Sequence, residues 1–400
     1  MKILQINCVY PMGSTGKIVS DLHAQLLEKG YKSIICYGIG EKGNKKDIYK
    51  ISNIVIVKFN ALISRITGYM YGNCFYSTIK LIKKIKTEKP DIVHIHCING
   101  HTVNIYKLIT WLKENRINTV LTLHSEFMFT GNCGHSLECE KWKTGCGKCP
   151  RLKKETKSWF FDNTHNSWQK MCNAMKNFSN LKVVSVSPWL EKRAKLSPIL
   201  SDKMHYVILN GIDTSIFKLY KIKELKEKMQ LIDKKIIFHV TAKFNNDKNH
   251  IKGGYYILKL AELLKNEPIQ IIVAGEYDKN IQIPSNITML GKIINQEELA
   301  KYYSMADVTV LTSKRETFSM PVAESLCCGT PIVGFKAGAP EKIAIKEYSS
   351  FVEYGNMQEL YESIKKFIYI EKNPLISKRA QEVYSRNTMT KKYIDIYRKF

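Results

Sequence analysis

The residues best placed to do chemistry lie in Arg315-Glu316-Thr317-Phe318-Ser319-Met320-Pro321-Val322-Ala323-Glu324. Proline suits the first turn of a helix, so Pro321 marks a helix start, with Glu316 in the loop before it and Glu324 one turn inside. The first amides of a helix have no intrahelical partner and sit at its positive end. Ser319 and Met320 therefore offer N–H groups to an anion. Glu324 can accept from two vicinal hydroxyls of a ribose while Glu316 reaches a neighbouring sugar, so the pair suits one polar ligand held at two places. The plain alternative is that Glu324 is a half-buried helix residue with a local partner.

Two further clusters carry weaker signals. Cys133, Cys139, Cys146 and Cys149 follow one another as C-x5-C-x6-C-x2-C, a short loop of thiols that suits tetrahedral structural zinc. Lys141, Lys143 and Lys148 flank them and are expected to lower their pKa values. Four ligands would leave no open coordination position, so the role would be structural. Unliganded thiols or a redox or iron–sulfur role are the alternatives, and His124 and His135 stand near enough to substitute as ligands. Near the start, Gly13-Ser14-Thr15-Gly16-Lys17 follows a strand-like run. It is neither a Walker loop nor GxGxxG, but a glycine turn at a helix start lets backbone amides approach a phosphate.

The elements that must position these residues alternate. Ile3–Val9, Ser33–Tyr37, Ile92–His96, Thr119–Leu123 and Val183–Val186 read as buried strands, with helical patterns near 16–29, 78–88, 104–115 and 166–178. The second half repeats this with Ile236–Thr241, Ile269–Ala274, Ile287–Leu290, Val308–Leu311 and Pro331–Val333, and with helices near 253–266, 296–304, 320–328 and 357–370. Alternation of this kind predicts parallel sheets with crossover helices. The expected organisation is an N-terminal Rossmann-like domain over 1–208, with a Cys-rich loop at 131–150, a C-terminal Rossmann-like domain over 209–384, and a helix at 385–400 crossing back. The expected fold class is α/β, two Rossmann-like domains facing across a cleft. Ligands of such sheets bind beyond the carboxyl ends of the strands.

Composition narrows the classes. The 400 residues carry 62 Lys and Arg against 36 Asp and Glu, a formal charge of +26. Residues 1–200 hold 31 basic and 13 acidic side chains, so the excess is concentrated there. Such a balance implies an anionic partner: nucleic acid, a membrane surface or phosphorylated small molecules. No nucleic-acid-binding pattern accompanies the charge. Met1-Lys2 runs straight into a strand-like segment with no leader pattern, and no apolar stretch is long enough to span a bilayer. Eleven cysteines without a leader argue for reduced thiols or metal ligands.

Taken in order, Gly13-x-x-Gly16, Thr122-Leu123-His124, Ser185-Val186-Ser187, Asn210-Gly211-Ile212-Asp213, Lys252-Gly253, Ala274-Gly275-Glu276, Ala306-Asp307-Val308, the Glu316-x7-Glu324 segment and Cys328-Gly329-Thr330-Pro331-Ile332-Val333 resemble the retaining glycosyltransferases of the GT-B fold in the large family 4, glycosyl transferases group 1. The cysteine insertion, with Trp142 and Cys149-Pro150, looks like a subset found in exopolysaccharide and capsule biosynthesis. The resemblance implies a UDP- or GDP-sugar donor in the C-terminal domain, with Glu324 on the ribose. Glu316 and the amides of Phe318, Ser319 and Met320 would hold the donor sugar, and Lys252 would neutralise the diphosphate. The family has an arginine where this chain has Lys243, which keeps the charge but loses the bidentate fork. Gly16 would bring its amide to the diphosphate or sugar, and His124 would line the reaction centre, followed here by Ser125 where the family has Asp or Gly.

The same resemblance implies transfer of a hexose to a glycan or lipid-linked saccharide with retention and no catalytic metal. The departing diphosphate would be stabilised electrostatically by Lys243, Lys252 and helix-end amides. The expected setting is cytoplasmic, peripheral at the inner face of the cell membrane. There the basic, apolar stretch 56–86, with Lys58, Arg65, Lys80, Lys83, Lys84 and Lys86, would meet anionic lipid. A basic nucleic-acid binder and a GT-B-like phosphorylase or epimerase are the competing readings.

Overall fold

A computed structural model describes residues 1–41 and 46–400. The chain divides into two compact units, Met1–Leu209 with Met389–Phe400, and Asn210–Thr388. Each is built on a wholly parallel sheet with helices as crossovers.

The sheet of the first unit contains β1 (Lys2–Val9), β2 (Lys32–Ile39), β3 (Ile48–Lys50), β4 (Ile92–Ile95), β5 (Thr119–Leu123), β6 (Leu181–Ser185) and β7 (Met204–Val207), in the order β3-β2-β1-β4-β5-β6-β7. The second sheet contains β8 (Lys235–Phe244), β9 (Ile269–Tyr277), β10 (Ile287–Gly291), β11 (Val308–Leu311), β12 (Ile332–Phe335) and β13 (Ser349–Val352), in the order β10-β9-β8-β11-β12-β13. The order reverses beside β1 in one sheet and beside β8 in the other, the doubly wound pattern. Central strands are apolar on both faces because helices cover both; Ile3, Leu4 and Ile6 of β1 and Ile236, Ile237 and Phe238 of β8 are buried.

All ten strands read from the sequence are present, each within a few residues of its expected ends. The short strands β3, β7 and β13 carry too little apolar pattern to stand out. The helix Ile54–Thr67 went unread because its apolar residues do not face the core, so its periodicity points the wrong way.

The last helix, Arg386–Tyr397, packs into the first unit: Met389, Tyr393, Ile394, Ile396 and Tyr397 join Ile3, Leu22, Ile92, Val120 and Val184 in one core. Two of its hydroxyls satisfy polar groups inside the sheet. The Tyr397 hydroxyl lies 2.6 Å from His94 Nδ1, and the Tyr393 hydroxyl lies 3.0 Å from Thr122 Oγ1, which in turn lies 2.8 Å from His94 Nε2. Tyr397→Phe would leave a buried ring nitrogen without its partner, a loss of about 1–3 kcal/mol. Urea unfolding should show that loss; a variant as stable as the parent would mean that water replaces the hydroxyl.

Candidate active site

In the second unit the loops after the strands converge near β11. The turn Ile251–Gly253 is pinned to the loop after β11, with Lys314 N–H donating to the Ile251 carbonyl at 2.8 Å. Gly253 has φ 67°, and a Cβ there would stand 2.1 Å from the Thr312 carbonyl oxygen, so only glycine lets the two loops lie this close. The result is an ion pair between side chains distant in sequence: Lys252 Nζ donates to Glu316 Oε1 at 2.6 Å, and both remain accessible. Glu316 is itself held by backbone, its N–H donating to Ala337 at 2.9 Å and its carbonyl accepting from Ala339 at 3.2 Å.

Three residues on, Ser319 caps the helix Met320–Cys327 with φ 82° and ψ 93°. A non-glycine residue there stores of order 1–3 kcal/mol, and such positions cluster at ligand sites. The Ser319 hydroxyl is buried and has no hydrogen-bond partner among the described residues. A strained cap with an unspent hydroxyl beside a helix N-terminus is an anion-receiving arrangement. Glu324 is buried further along that helix, where its Oε2 accepts from the Tyr303 hydroxyl at 2.9 Å. Burial first, and then Glu324, pushes the Tyr303 phenol well above its usual range, so it stays a donor. Tyr303 is a partner that the sequence reading missed; nothing in its local pattern distinguishes it from a core aromatic.

Lys252, Glu316, Phe318, Ser319, Met320 and Glu324 thus occupy two joined loops and the helix they lead into. Lys243 stands apart from the ion pair. It lies exposed after a bulge in β8, in register with Glu276 of β9. Lys292 chiefly, and Lys243 more weakly, hold the Glu276 carboxyl below its usual range. His239 of β8 was also not anticipated; it is buried, its Nδ1 lies 2.9 Å from the Val310 carbonyl, and burial draws its pKa down to about 4.

In the first unit, Gly16 lies inside the first turn of the helix Gly13–Glu28 rather than in a loop before it. A Cβ at Gly16 would come within 3.1 Å of the Pro11 carbonyl carbon. Its smallness therefore lets the helix start press onto the end of β1. His124 ends β5 within a chain of buried polar groups. Gln5 Nε2 donates to Ser33 Oγ at 3.1 Å, Gln5 Oε1 lies 3.2 Å from His96 Nε2, and His96 Nδ1 lies 3.3 Å from His124 Nε2. Burial draws His124 down to about 4. The ring is neutral at physiological pH.

The four loop cysteines line one small cavity together with Thr130, Asn132, Trp142 and Thr164. Among the described residues, no three Cys, His, Asp or Glu side chains are arranged to hold a metal ion. The expected lowering of the thiol pKa values is corrected: burial raises Cys133, Cys146 (to about 12) and Cys149, while Lys141 is turned to the Gly147 and Lys148 carbonyls and Lys143 to Glu140. What ties this loop to the sheet is Glu126, fully buried, which accepts from Arg193 Nε at 2.8 Å and from the Ser136 amide; Arg193 also donates to Ser136 Oγ at 2.7 Å. The sequence offers no sign of this pair, because the partners are far apart along the chain.

Residues 221–384 match the family model described as glycosyl transferases group 1. That segment is a glycosyl transferases group 1 domain, and the two parallel-sheet α/β units have the fold of the GT-B glycosyltransferases. Over its whole length it is 21% identical to a protein of Escherichia coli K12 named for colanic acid biosynthesis as the glycosyl transferase WcaC, with 99% of each chain covered. It is 22% identical to the N-acetyl-alpha-D-glucosaminyl L-malate synthase of Bacillus anthracis, covering 88% of this chain and 83% of that one. Among solved structures it is similar in fold to Anabaena HepE in complex with UDP (TM-score 0.66, 14% identity, all of both chains). Sucrose-phosphate synthase from Thermosynechococcus elongatus is similar too (TM-score 0.65, 15% identity, 100% of this chain and 99% of that one).

Burial lowers the pKa of His94, His96, His101, His124, His205 and His239 together. The unfolded chain takes up protons at these histidines near pH 6.5, while in the folded one His101, His124 and His239 resist until about pH 4 and the others are also held below their usual value, so their contribution to stability is full above pH 6.5 and lost as pH falls from there. Denaturant unfolding at a series of pH values should show this fall with a slope exceeding one proton. A flat profile would mean that the rings are not buried neutral.

Proposed function

We propose that this protein transfers a hexose from a UDP- or GDP-sugar to a glycan or lipid-linked acceptor, with retention at the anomeric carbon, in building a cell-surface polysaccharide. The observation that carries the reading is the Lys252–Glu316 ion pair set beside the strained Ser319 cap and the buried Glu324. The UDP in the Anabaena HepE structure and the colanic acid name of the Escherichia coli relative support the donor class and the pathway class.

In this reading Lys252 exchanges Glu316 for the donor diphosphate, and the Ser319 hydroxyl and the first helix amides complete the anion's partners. Glu324, oriented by Tyr303, accepts from the ribose hydroxyls. Glu316, released from Lys252, positions the sugar. As the bond from the anomeric carbon to the diphosphate oxygen lengthens, negative charge grows on the diphosphate, where Lys252 and the helix end meet it. The acceptor hydroxyl attacks from the face the diphosphate leaves, and its proton passes to the phosphate. Lys243 adds positive charge nearby, and no catalytic metal takes part. The first unit binds the acceptor, with His124 and Gly16 as its candidate residues, and the basic, apolar stretch 56–86 holds the enzyme against the cytoplasmic face of an anionic membrane. A structural zinc at Cys133, Cys139, Cys146 and Cys149 rests on their spacing and on the small cavity that all four line, though among the described residues no three of them are yet gathered as ligands; no step runs through it.

Thermal unfolding with UDP, GDP and ADP and their sugars tests the donor. Ligand at a hundred times its dissociation constant adds about 2.7 kcal/mol, a rise of several degrees. One base should give that rise. Lys252→Ala should weaken it about tenfold or more, as losing a charged hydrogen bond does, and Glu324→Ala should abolish it. A rise with oligonucleotides and none with nucleotides would overturn the reading in favour of a nucleic-acid binder.

Metal analysis of the purified protein tests the zinc. The expected content is about one zinc per chain, as a closed four-thiolate site takes, falling in Cys146→Ser. A metal-free protein that folds normally would exclude it.

A further inference from the structure

The helix Ile54–Thr67 is inverted. It is well terminated: the Asn53 side chain accepts from Ile56 N–H, and Gly68 closes the other end in the left-handed conformation. Yet the face it buries is Val57, Asn60 and Ser64, with Asn60 Nδ2 donating to the His101 carbonyl at 3.4 Å and Ser64 Oγ lying 3.5 Å from His101 Nδ1. The face it exposes is Val55, Phe59, Leu62 and Ile66, at 71%, 61%, 42% and 40%. Spacings of four, three and four place these four on one stripe. A water-facing helix ordinarily shows the opposite arrangement.

A second apolar element is fastened to the end of that helix. Trp159, Phe160 and Phe161 are 51%, 69% and 59% exposed. Their turn is held by backbone, with Trp159 N–H donating to the Arg65 carbonyl at 2.7 Å, Ser158 Oγ to the Phe161 carbonyl at 2.7 Å, and Asn163 Nδ2 to the Thr67 carbonyl at 2.6 Å. Three consecutive rings are thus displayed beside the stripe by bonds that do not depend on the rings packing together. Around them the exposed charge is positive. No Asp or Glu occurs between Asp47 and Glu88, Lys58 and Arg65 project from the helix, and Lys153, Lys154 and Lys157 precede the turn. Of the nearby acids, Glu155 is paired with Arg151, and Asp162 is occupied by the Cys149 and Thr164 amides.

We infer that this surface inserts into the interfacial layer of an anionic lipid bilayer. The helix lies in the membrane plane, and the Trp159-Phe160-Phe161 turn enters the headgroup–acyl boundary. An apolar stripe with aromatic residues, bordered by lysine and arginine and with its nearest acids already partnered, is what such an interface selects. An interface between two copies of this chain would bring like charges together. Among the described residues no helix is long and apolar enough to cross a membrane, so the attachment is one of lying on the bilayer. The inference rests on the membrane setting proposed above, and it adds the turn at 159–161, which lies outside the stretch that the sequence singled out.

The test is sedimentation of the full chain with vesicles of phosphatidylcholine, with and without phosphatidylglycerol. It is run for the parent, for Phe59→Ser with Leu62→Ser, and for Phe160→Ser with Phe161→Ser. The parent should bind the anionic vesicles, bind neutral ones far less, and lose binding as salt rises. Each double variant should bind about tenfold or more weakly, since each removes two inserted apolar side chains. All these positions are exposed, so the variants should keep the parent's far-ultraviolet circular dichroism and its nucleotide-induced thermal shift. Failure of the parent to bind anionic vesicles, or equal binding by the variants, overturns the inference while leaving the donor reading intact. A concentration-dependent dimer that both variants abolish, without lipid binding, would give the surface to a second copy and overturn it equally. Lipid binding without any nucleotide shift would instead overturn the donor reading alone.

Discussion

The constraint on which the candidate site depends is the parallel sheet. When all strands of a sheet run the same way, their carboxyl ends share one edge, and the helices that return the chain begin there with their positive ends and unpaired amides. In the second unit that edge is crowded. The turn before the helix Gly254–Leu263 lies against the Thr312 carbonyl, and the chain leaving β11 must reach the helix Met320–Cys327 through the left-handed Ser319. Close backbone approach is what brings Lys252 to Glu316, and the strain at Ser319 is held by the surrounding packing, with Phe318, Val322 and Ala323 all buried.

The first unit is organised differently at the corresponding edge. Its sheet interior carries a polar seam of Gln5, His94, His96 and Thr122, completed by Ser33 within the sheet and by two tyrosines from the last helix. A buried polar group without a partner is costly, so these contacts bind the end of the chain to its beginning. The seam thus links the packing of the sheet to the chemistry of its edge.

Much of the fold was legible in the sequence because a buried parallel strand is a continuous apolar run bounded by turn residues, and Ile3–Val9 or Val308–Leu311 can hardly be anything else. The acid pair of the candidate site was legible for the same local reason: Glu316 through Glu324 is one loop and the start of one helix. Tyr303, His239, Arg193 and the seam partners were not legible, since each acts across a long stretch of sequence and none differs locally from a core aromatic or a surface charge. The lysines of the cysteine loop misled, because their spacing says nothing about which way they point, and burial of the thiols outweighs them.

The helix Ile54–Thr67 marks the boundary most clearly. Its composition declares a basic, apolar segment, and no more than that. Which face turns inward was decided by Asn60 and Ser64 meeting His101, and the aromatic turn beside it by backbone bonds to Arg65 and Thr67. The amino-acid sequence determined by itself the strand and helix alternation, the acid pair and the charge of the first half, because these follow from local pattern and composition. The tertiary structure alone decided which distant side chains meet, which histidines are buried as neutral rings and which apolar face is left to the surroundings, because those outcomes depend on burial and contact between segments remote along the chain.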